Sequence, residues 1–172
     1  MIRDRVLKIL DDLGVQYAVV GAVAVAARGV VRSTLDFDLL TTDTRVLQDR
    51  VWSGLPDVDV RKGDFDDPLA GVVRIGPKSE QIDIIVGRWN WEQRVIERAQ
   101  PANVQGATLR VPLTSDLILL KLAAGGPIDQ QDILRLLAVG PHNQLIAEVN
   151  QKISDLPDDA QRLWSRLTAP SS

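Results

Sequence analysis

The sequence predicts an α/β protein: a mixed, twisted sheet of about five strands flanked by helices, followed by a C-terminal helical bundle. Short apolar strands alternate with helix-length segments from Tyr17 to Val111, which is typical of strands joined by helical crossovers. The region Val58–Ile75 is hairpin-like, so we expect strands of both directions. After Thr114 only helical periodicity is found, which predicts the bundle.

Length and composition narrow the class of protein. The chain has 172 residues, 45% of them apolar, so we predict a core over residues 1–112 with a helical region, residues 113–172, packed on it as a single compact unit. A net charge of −3 argues against a strong electrostatic grip on bulk nucleic acid. The absence of cysteine excludes disulfides and thiolate metal sites. No signal peptide or membrane-spanning run is recognised, so we expect a cytoplasmic protein without membrane contact.

The first elements lead up to a glycine turn and a polar loop. Three of them are predicted in order: a helix over residues 2–13, a strand over 17–20 and a short helix of small residues over 22–27. Gly21 stands between the strand and the short helix. A polar loop, residues 28–34, then leads to a second strand that carries two aspartates.

The remaining elements are predicted from hydrophobic periodicity and from the capping and breaker residues between them. They are a helix from Thr42–Asp43 to about Trp52, strands over 58–61, 71–75, 81–87 and 107–111, a helix over 89–99, and helices opening near Thr114, Asp129, Pro141 and Asp158. We expect Asp43 and Thr114 to cap their helices. The breaker-rich turn G-D-F-D-D-P should hold its acids, Asp64, Asp66 and Asp67, in a solvated loop.

The phrase L-D-F-D-L-L contains the first candidate site. Because side chains alternate along a strand, Asp36 and Asp38 should share one open face while Leu35, Phe37 and Leu39 enter the core. Two like charges at that spacing repel by roughly 4 kcal/mol at an effective dielectric of ~20. A hard cation such as Mg²⁺ or a raised pKa would offset the repulsion. The alternative is a strand end with two solvated acids.

Gly21 and Asp83 strengthen the interpretation as a ligand site. A strand–glycine–helix unit aims backbone N–H groups at an anion, so an anion cradle and a cation site together indicate a metal–polyphosphate ligand. Asp83 lies inside the apolar strand Q-I-D-I-I-V-G, where an unpaired acid is costly. It is either a hydrogen-bonded structural acid or, as we favour, a third carboxylate beside Asp36 and Asp38.

A second group of charges lies in the C-terminal region. Lys121 is the only cation in S-D-L-I-L-L-K-L-A-A, at the edge of a packed helix face. It either extends to solvent along its stem or pairs with a carboxylate or phosphate. Asp129 and Asp132 form a capping-box-like pair, and Asp132 retains a possible role at the site because Lys121 is one helix away. His142 is predicted at a helix start on the surface, so histidine-based catalysis is not expected.

These residues together resemble a family. The chain resembles the nucleotidyltransferase superfamily, which includes DNA polymerase beta, in three places: Val20-Gly21-Ala22, Asp36-x-Asp38 and Asp83. A closer resemblance is to minimal nucleotidyltransferases and the abortive-infection toxins of toxin–antitoxin systems. It lies in the run L-I-L-L-K-L-A-A-G-G-P-I-D-Q-Q-D-I-L and in the motif Arg32-x-Thr34-x-Asp36-x-Asp38. The resemblance covers roughly Tyr17 to Leu137.

The resemblance implies a Mg²⁺-dependent transfer of a nucleoside monophosphate from a nucleoside triphosphate to a hydroxyl of tRNA, protein or a small molecule. It also implies a possible role as a toxin with an antitoxin partner. The implied catalytic residues are Asp36, Asp38 and Asp83, which would also hold two Mg²⁺ ions, with Asp83 helping to deprotonate the acceptor. The implied nucleotide-binding residues are Gly21, Ala22, Arg32, Ser33, Thr34, Lys121 and Asp132.

Two alternatives stay open. Ala22 stands where relatives often have serine or glycine, and Gly126 and Ile128 stand where they often carry arginine or lysine. This thinner positive charge favours a catalytically weak or inactive scaffold that binds a nucleotide or a protein partner. The phrase D-F-D also occurs as the metal motif of sugar-nucleotide glycosyltransferases, but the short chain and the Gly21 turn argue against that assignment.

Overall fold

A computed structural model describes residues 1–171 of the chain. Within them the helices are α1 (Ile2–Asp12), α2 (Gly21–Ala27), α3 (Asn90–Arg98), α4 (Thr114–Ala124), α5 (Pro127–Val139), α6 (His142–Lys152) and α7 (Asp158–Leu167). The strands are β1 (Ala18–Val20), β2 (Phe37–Thr41), β3 (Val58–Lys62), β4 (Leu69–Ile75), β5 (Ile82–Gly87), β6 (Gln100–Val104) and β7 (Ala107–Val111). The predicted α/β class is confirmed.

Five strands form one mixed sheet in the order β1-β2-β5-β4-β3. Strands β2 and β5 run parallel, and the other neighbours are antiparallel, including the predicted hairpin of β3 and β4. Strand β7 instead pairs with β6 in a separate two-stranded sheet. Strand β6 was not predicted, because its sequence Q-P-A-N-V contains a proline and an asparagine, which strands tolerate mainly at edges.

The sheet has one buried face and one open face. In β5, Ile82, Ile84 and Val86 are buried, and the alternate residues, Asp83 among them, are only half-buried. The same alternation in β4 buries Val73 and leaves its neighbour Arg74 exposed. The period of two therefore sorts the apolar side chains into the core and the charged ones onto the open face.

The C-terminal helices assemble around α4. Its apolar residues Leu117, Ile118, Leu119 and Leu122 are buried, and so are its polar residues Ser115 and Asp116. A helix buried on most of its circumference needs neighbours on several sides, and α4 contacts α5, α6 and α7. The division at residues 112 and 113 stays a prediction. Between residues 1 and 171, no helix combines the length and the apolar character needed to cross a membrane.

Two helix predictions were wrong in detail. In place of one helix from Thr42–Asp43 to Trp52, the chain forms two short 3-10 helices, Thr44–Leu47 and Asp49–Trp52. Gln48 between them is extended, with φ −100° and ψ 119°, which interrupts the helical hydrogen bonds. The Asp43 side chain does accept from the Arg45 N–H, as predicted. Thr114 is the first residue of α4 and makes no side-chain cap.

Candidate active site

Two of the predicted acids lie side by side on the open face of the sheet. Asp38 in β2 and Asp83 in β5 are direct partners in the parallel register, so their side chains point to the same face of neighbouring strands. Asp36 is exposed and precedes β2, which begins at Phe37. The prediction that Leu35 enters the core was wrong, because it lies in a bend before the strand and is 76% exposed.

Asp38 carries the most perturbed carboxyl group of the cluster. Its pKa is raised to about 6, first by burial and then by the neighbouring charges of Asp83 and Asp36, while Lys121 and Arg74 act in the opposite direction. Among residues 1–171, no side chain or backbone group forms a hydrogen bond or ion pair with this carboxylate. The Asp38 charge therefore lacks the compensation that a partly buried acid needs.

Gly21 lies directly against Asp38. It opens α2 in the left-handed region, with φ +68°, and a Cβ placed on it would lie 2.1 Å from Asp38 Oδ2. The closeness follows from the sheet, since Val20 at the end of β1 pairs with Asp38. The structure thus explains why glycine is required at position 21: the Asp38 carboxylate occupies the space that a side chain would fill. Ala22 is the next residue of α2, and the predicted nucleotide contacts of both residues stay predictions.

We expect Gly21→Ala to displace the Asp38 carboxylate as well as strain the backbone. A left-handed alanine costs about 1–2 kcal/mol, and the overlap with Asp38 adds to that cost. Gly106→Ala is the matched control, because Gly106 has φ +84° but nothing within 4 Å of its added Cβ. Urea denaturation should show the larger loss for Gly21→Ala. Equal losses in the two variants would contradict the contact with Asp38.

Asp83 is held by an arginine that sequence reasoning missed. Arg74 Nε lies 3.0 Å from Asp83 Oδ1 and Arg74 Nη2 lies 3.0 Å from Oδ2. The Gln81 side-chain amide also donates to Oδ1, at 3.2 Å. Arg74 stands directly opposite Asp83 in the antiparallel register of β4 and β5. The alternation V-V-R-I already placed this cation on the open face, but only the register shows that it faces Asp83.

Lys121 belongs to a second charge cluster, at the start of α5. Its Nζ lies 3.0 Å from Asp129 Oδ1 and 3.0 Å from Asp132 Oδ2, so of the two alternatives left open for Lys121 the structure has the pairing with carboxylates. Arg32 also pairs with Asp132, whose side chain is 0% exposed. The predicted capping-box pair of Asp129 and Asp132 was wrong, because α5 begins at Pro127 and its N-cap is Gly126. Asp129 is the third residue of the helix and accepts from the Gly126 N–H at 3.1 Å. Asp132 Oδ1 is buried and has no hydrogen-bond partner in the described residues.

The loop before β2 places its residues along a cavity. Arg32, Ser33 and Thr34 border a space of about 380 Å³ together with residues of α2 and of the β6–β7 turn. Thr34 Oγ1 accepts from the Asp36 N–H at 3.1 Å, which anchors the acid to the loop. Arg28, at the end of α2, donates 2.8 Å hydrogen bonds to the carbonyls of Pro112 and Val111, so its charge is bound to the backbone.

A groove of about 370 Å³ extends along β3 and β4. Arg74 lines it together with Arg61 and Lys62, and with Asp59 and Asp67. Arg61 is paired with Asp59, at 2.7 Å from Nε to Oδ2. Neither Asp38 nor Asp83 lines the groove, but Arg74, which pairs with Asp83, does, and the walls carry charges of both signs.

The acids fit a Mg²⁺ ion at Asp36 and Asp38 better than they fit two ions. In the part of the chain that the structure describes, no three acidic or histidine side chains are arranged to enclose a metal. Mg²⁺ is commonly held by one or two carboxylates plus substrate phosphates, so such a cage is not required. The uncompensated Asp38 carboxylate meets this need, whereas both oxygens of Asp83 are engaged by Arg74.

Comparison with known proteins connects this geometry to a fold. No protein-family profile matches the chain, and no curated protein matches its sequence. The solution structure of the antibiotic-resistance factor ANT(2'')-Ia matches 89% of this chain and 90% of its own, with a TM-score of 0.61 at 16% identity. An antigenic nucleotidyltransferase-like protein from Paracoccidioides brasiliensis matches 94% of this chain and 92% of its own, with a TM-score of 0.47 at 18% identity. At such low sequence identities the similarity concerns the fold alone, and it rests on the match to ANT(2'')-Ia.

Proposed function

We propose that this chain, which has the fold of the nucleotidyltransferases, transfers a nucleoside monophosphate from a nucleoside triphosphate to a hydroxyl acceptor with the help of Mg²⁺. One observation carries the proposal: Asp38 and Asp83 are register partners on the open sheet face, with Gly21 against Asp38. Adjacent carboxylates beside a helix-opening glycine are suited to a metal–polyphosphate substrate.

Asp36 and Asp38 are the residues that would hold Mg²⁺. The raised pKa of Asp38, caused by burial and by its acidic neighbours, marks the place where positive charge is missing. When bound, the ion would neutralise phosphate charge and favour displacement at the α-phosphorus. Asp36 lies at the exposed rim, so it can reach an ion from the solvent side.

Asp83 is the proposed acceptor of the proton. The acceptor hydroxyl oxygen forms a bond to the α-phosphorus, the bond from that phosphorus to the bridging oxygen breaks, and pyrophosphate leaves. The hydroxyl proton passes to the Asp83 carboxylate, which has about four lone-pair sites and can accept it while still bonded to Arg74 and Gln81. Such transfer depends mainly on positioning and charge stabilisation.

Lys121 and Arg32 supply positive charge near the proposed triphosphate. Asp132 pairs with both cations, and the Lys121 charge partly opposes the rise in the pKa of Asp38, so Lys121 lies within electrostatic range of that carboxylate. Fixed cations need no rearrangement when substrate charge arrives. We assign the acceptor to the groove along β3 and β4, which is lined by Arg74, the partner of Asp83. Its 370 Å³ suits a small molecule or the end of a longer chain.

Transfer assays with α-labelled nucleoside triphosphates test the proposal. Wild-type protein is mixed with each of the four triphosphates and with tRNA, total protein or small hydroxylated compounds. We expect a labelled acceptor and free pyrophosphate in the presence of Mg²⁺, and neither after addition of EDTA. The absence of label on every acceptor class, with protein shown to be folded, would remove the proposed activity.

A second candidate function is a scaffold that binds a nucleotide or a protein without turnover. The observation in its favour is that Lys121 is paired with Asp129 and Asp132, and Arg74 with Asp83, so both cations already have carboxylate partners. Calorimetry separates the two functions. Nucleotide binding without pyrophosphate release supports the scaffold, and binding of neither nucleotide nor Mg²⁺ supports a protein partner only.

A toxin role with an antitoxin partner is the finer proposal. It is supported by the resemblance of the run from Leu117 to Leu134 to the abortive-infection branch. Induced expression in a bacterial host should arrest growth for wild type and not for Asp38→Asn. Arrest by both forms at equal protein levels would disconnect toxicity from nucleotidyl transfer.

A further inference from the structure

The two neighbouring carboxylates of the open face differ in what they contact. Asp83 accepts a bidentate pair of hydrogen bonds from Arg74, with both N–O distances at 3.0 Å, and a third hydrogen bond from Gln81. Asp38 receives none from residues 1–171. Because a planar guanidinium matches a carboxylate with two parallel hydrogen bonds, this form of pairing is the strong one. A cation therefore meets a free ligand at Asp38 and an occupied one at Asp83.

The sheet register produces this contact. Arg74 and Asp83 are direct partners in the antiparallel pair of β4 and β5, on the same face. The Arg74 side chain is 48% exposed, so its guanidinium can turn into solvent without opening the core. The backbone register thus fixes Arg74 opposite Asp83, while the exposed Arg74 side chain can leave and return to the Asp83 carboxylate.

We propose that Arg74 competes with a divalent cation for Asp83. The free chain offers one cation position, at Asp36 and Asp38, and a second position opens only when the Arg74 guanidinium leaves Asp83. This inference rests on the proposed function, because it takes over the cation position at Asp36 and Asp38 and adds a second position at Asp83. It differs from the arrangement of two ions that the sequence resemblance implies, and it makes Arg74 a positioning residue for Asp83.

Mn²⁺ binding to the full chain tests the inference without any assay of activity. Free Mn²⁺ is followed by electron paramagnetic resonance with wild type, Arg74→Gln and Arg61→Gln, in the absence of nucleotide. Wild type should bind one ion. Over the Mn²⁺ concentrations at which wild type binds one ion, Arg74→Gln should bind a second one. The affinity of this second position should be roughly fivefold higher than in wild type, which corresponds to the loss of one exposed ion pair.

The controls assign the second ion to Asp83. Arg61→Gln removes an equal charge from the same sheet face, where Arg61 pairs with Asp59 at 2.7 Å, and it should bind Mn²⁺ like wild type. The double variant Arg74→Gln/Asp83→Asn should return to one ion. Circular dichroism checks that each variant is folded.

The outcomes separate the two proposals. Two ions bound with similar affinity by wild type, or the same stoichiometry and affinity in wild type and Arg74→Gln, would overturn the competition while leaving nucleotidyl transfer in place. A second ion that persists in the double variant would also overturn it. No Mn²⁺ bound by any variant, combined with no labelled acceptor in the transfer assay, would remove the proposed function as well.

Discussion

Asp38→Asn should lose nucleotidyl transfer and gain stability. The amide cannot replace the carboxylate toward a cation, so we expect the transfer rate to fall by about 10²–10³-fold, the size of one lost preorganised electrostatic contact. The same change removes a partly buried charge that Asp83 and Asp36 repel. In EDTA near pH 7.5 the variant should therefore be more stable to urea, on the order of 2 kcal/mol after allowance for solvent screening.

The gain should depend on pH with a definite sign. The Asp38 carboxyl has a pKa near 3.8 as a free group and about 6 in the folded chain, so the folded state binds more protons between those values. The stability of wild type, relative to Asp38→Asn, should fall as pH rises from about 4 to about 6 and stay low above that. Addition of Mg²⁺ should raise the melting temperature of wild type only. A variant that is less stable than wild type at neutral pH would contradict the uncompensated charge.

Asp116→Ala should destabilise the C-terminal bundle by about 3 kcal/mol. Asp116 is 0% exposed and accepts from Arg98 at 2.9 and 2.8 Å and from Lys152 at 3.0 Å. It therefore joins α3, α4 and α6. Loss of the carboxylate leaves two partly buried cations without their partner, and removal of one member of a buried pair typically costs about 3–5 kcal/mol. Because Arg98 is a third exposed, the lower end applies.

Asp155→Ala is the matched control for that loss. Asp155 pairs with Arg94 at 2.9 Å, but both side chains are nearly half exposed. Exposed pairs contribute about 0–1 kcal/mol, so urea denaturation should hardly change. A loss for Asp116→Ala no larger than that for Asp155→Ala would show that the buried cations find water or other partners.

The fold could be predicted where a period or a breaker decides the local structure. The apolar alternation of β4 and β5 and the glycine after β1 are enough to identify those strands and the glycine turn from the sequence. The segment 42–52 was harder, because its apolar residues fit a helix while Gln48 takes an extended conformation. Strand β6 is defined by its pairing with β7 rather than by its own residues, so its sequence gives no signal.

The candidate site was only partly visible in the sequence. Alternation placed Asp38 and Asp83 on a polar face, but the register between β2 and β5 that makes them partners depends on contacts between distant segments. For the same reason the contact between Arg74 and Asp83 was missed. The sequence left open whether Lys121 extends to solvent or pairs with an anion, and the packing of α5 on α4 brings Asp129 and Asp132 to it.

The order of the strands also bears on how the chain behaves at high concentration. The sheet ends at β3 on one side, and the charged residues Asp59, Arg61 and Lys62 of that strand are exposed. Its other end, β1, is only three residues long. Charged or very short border strands discourage another copy from adding its own strand. The chain can therefore keep an open charged face beside its acids without that border becoming a template for aggregation.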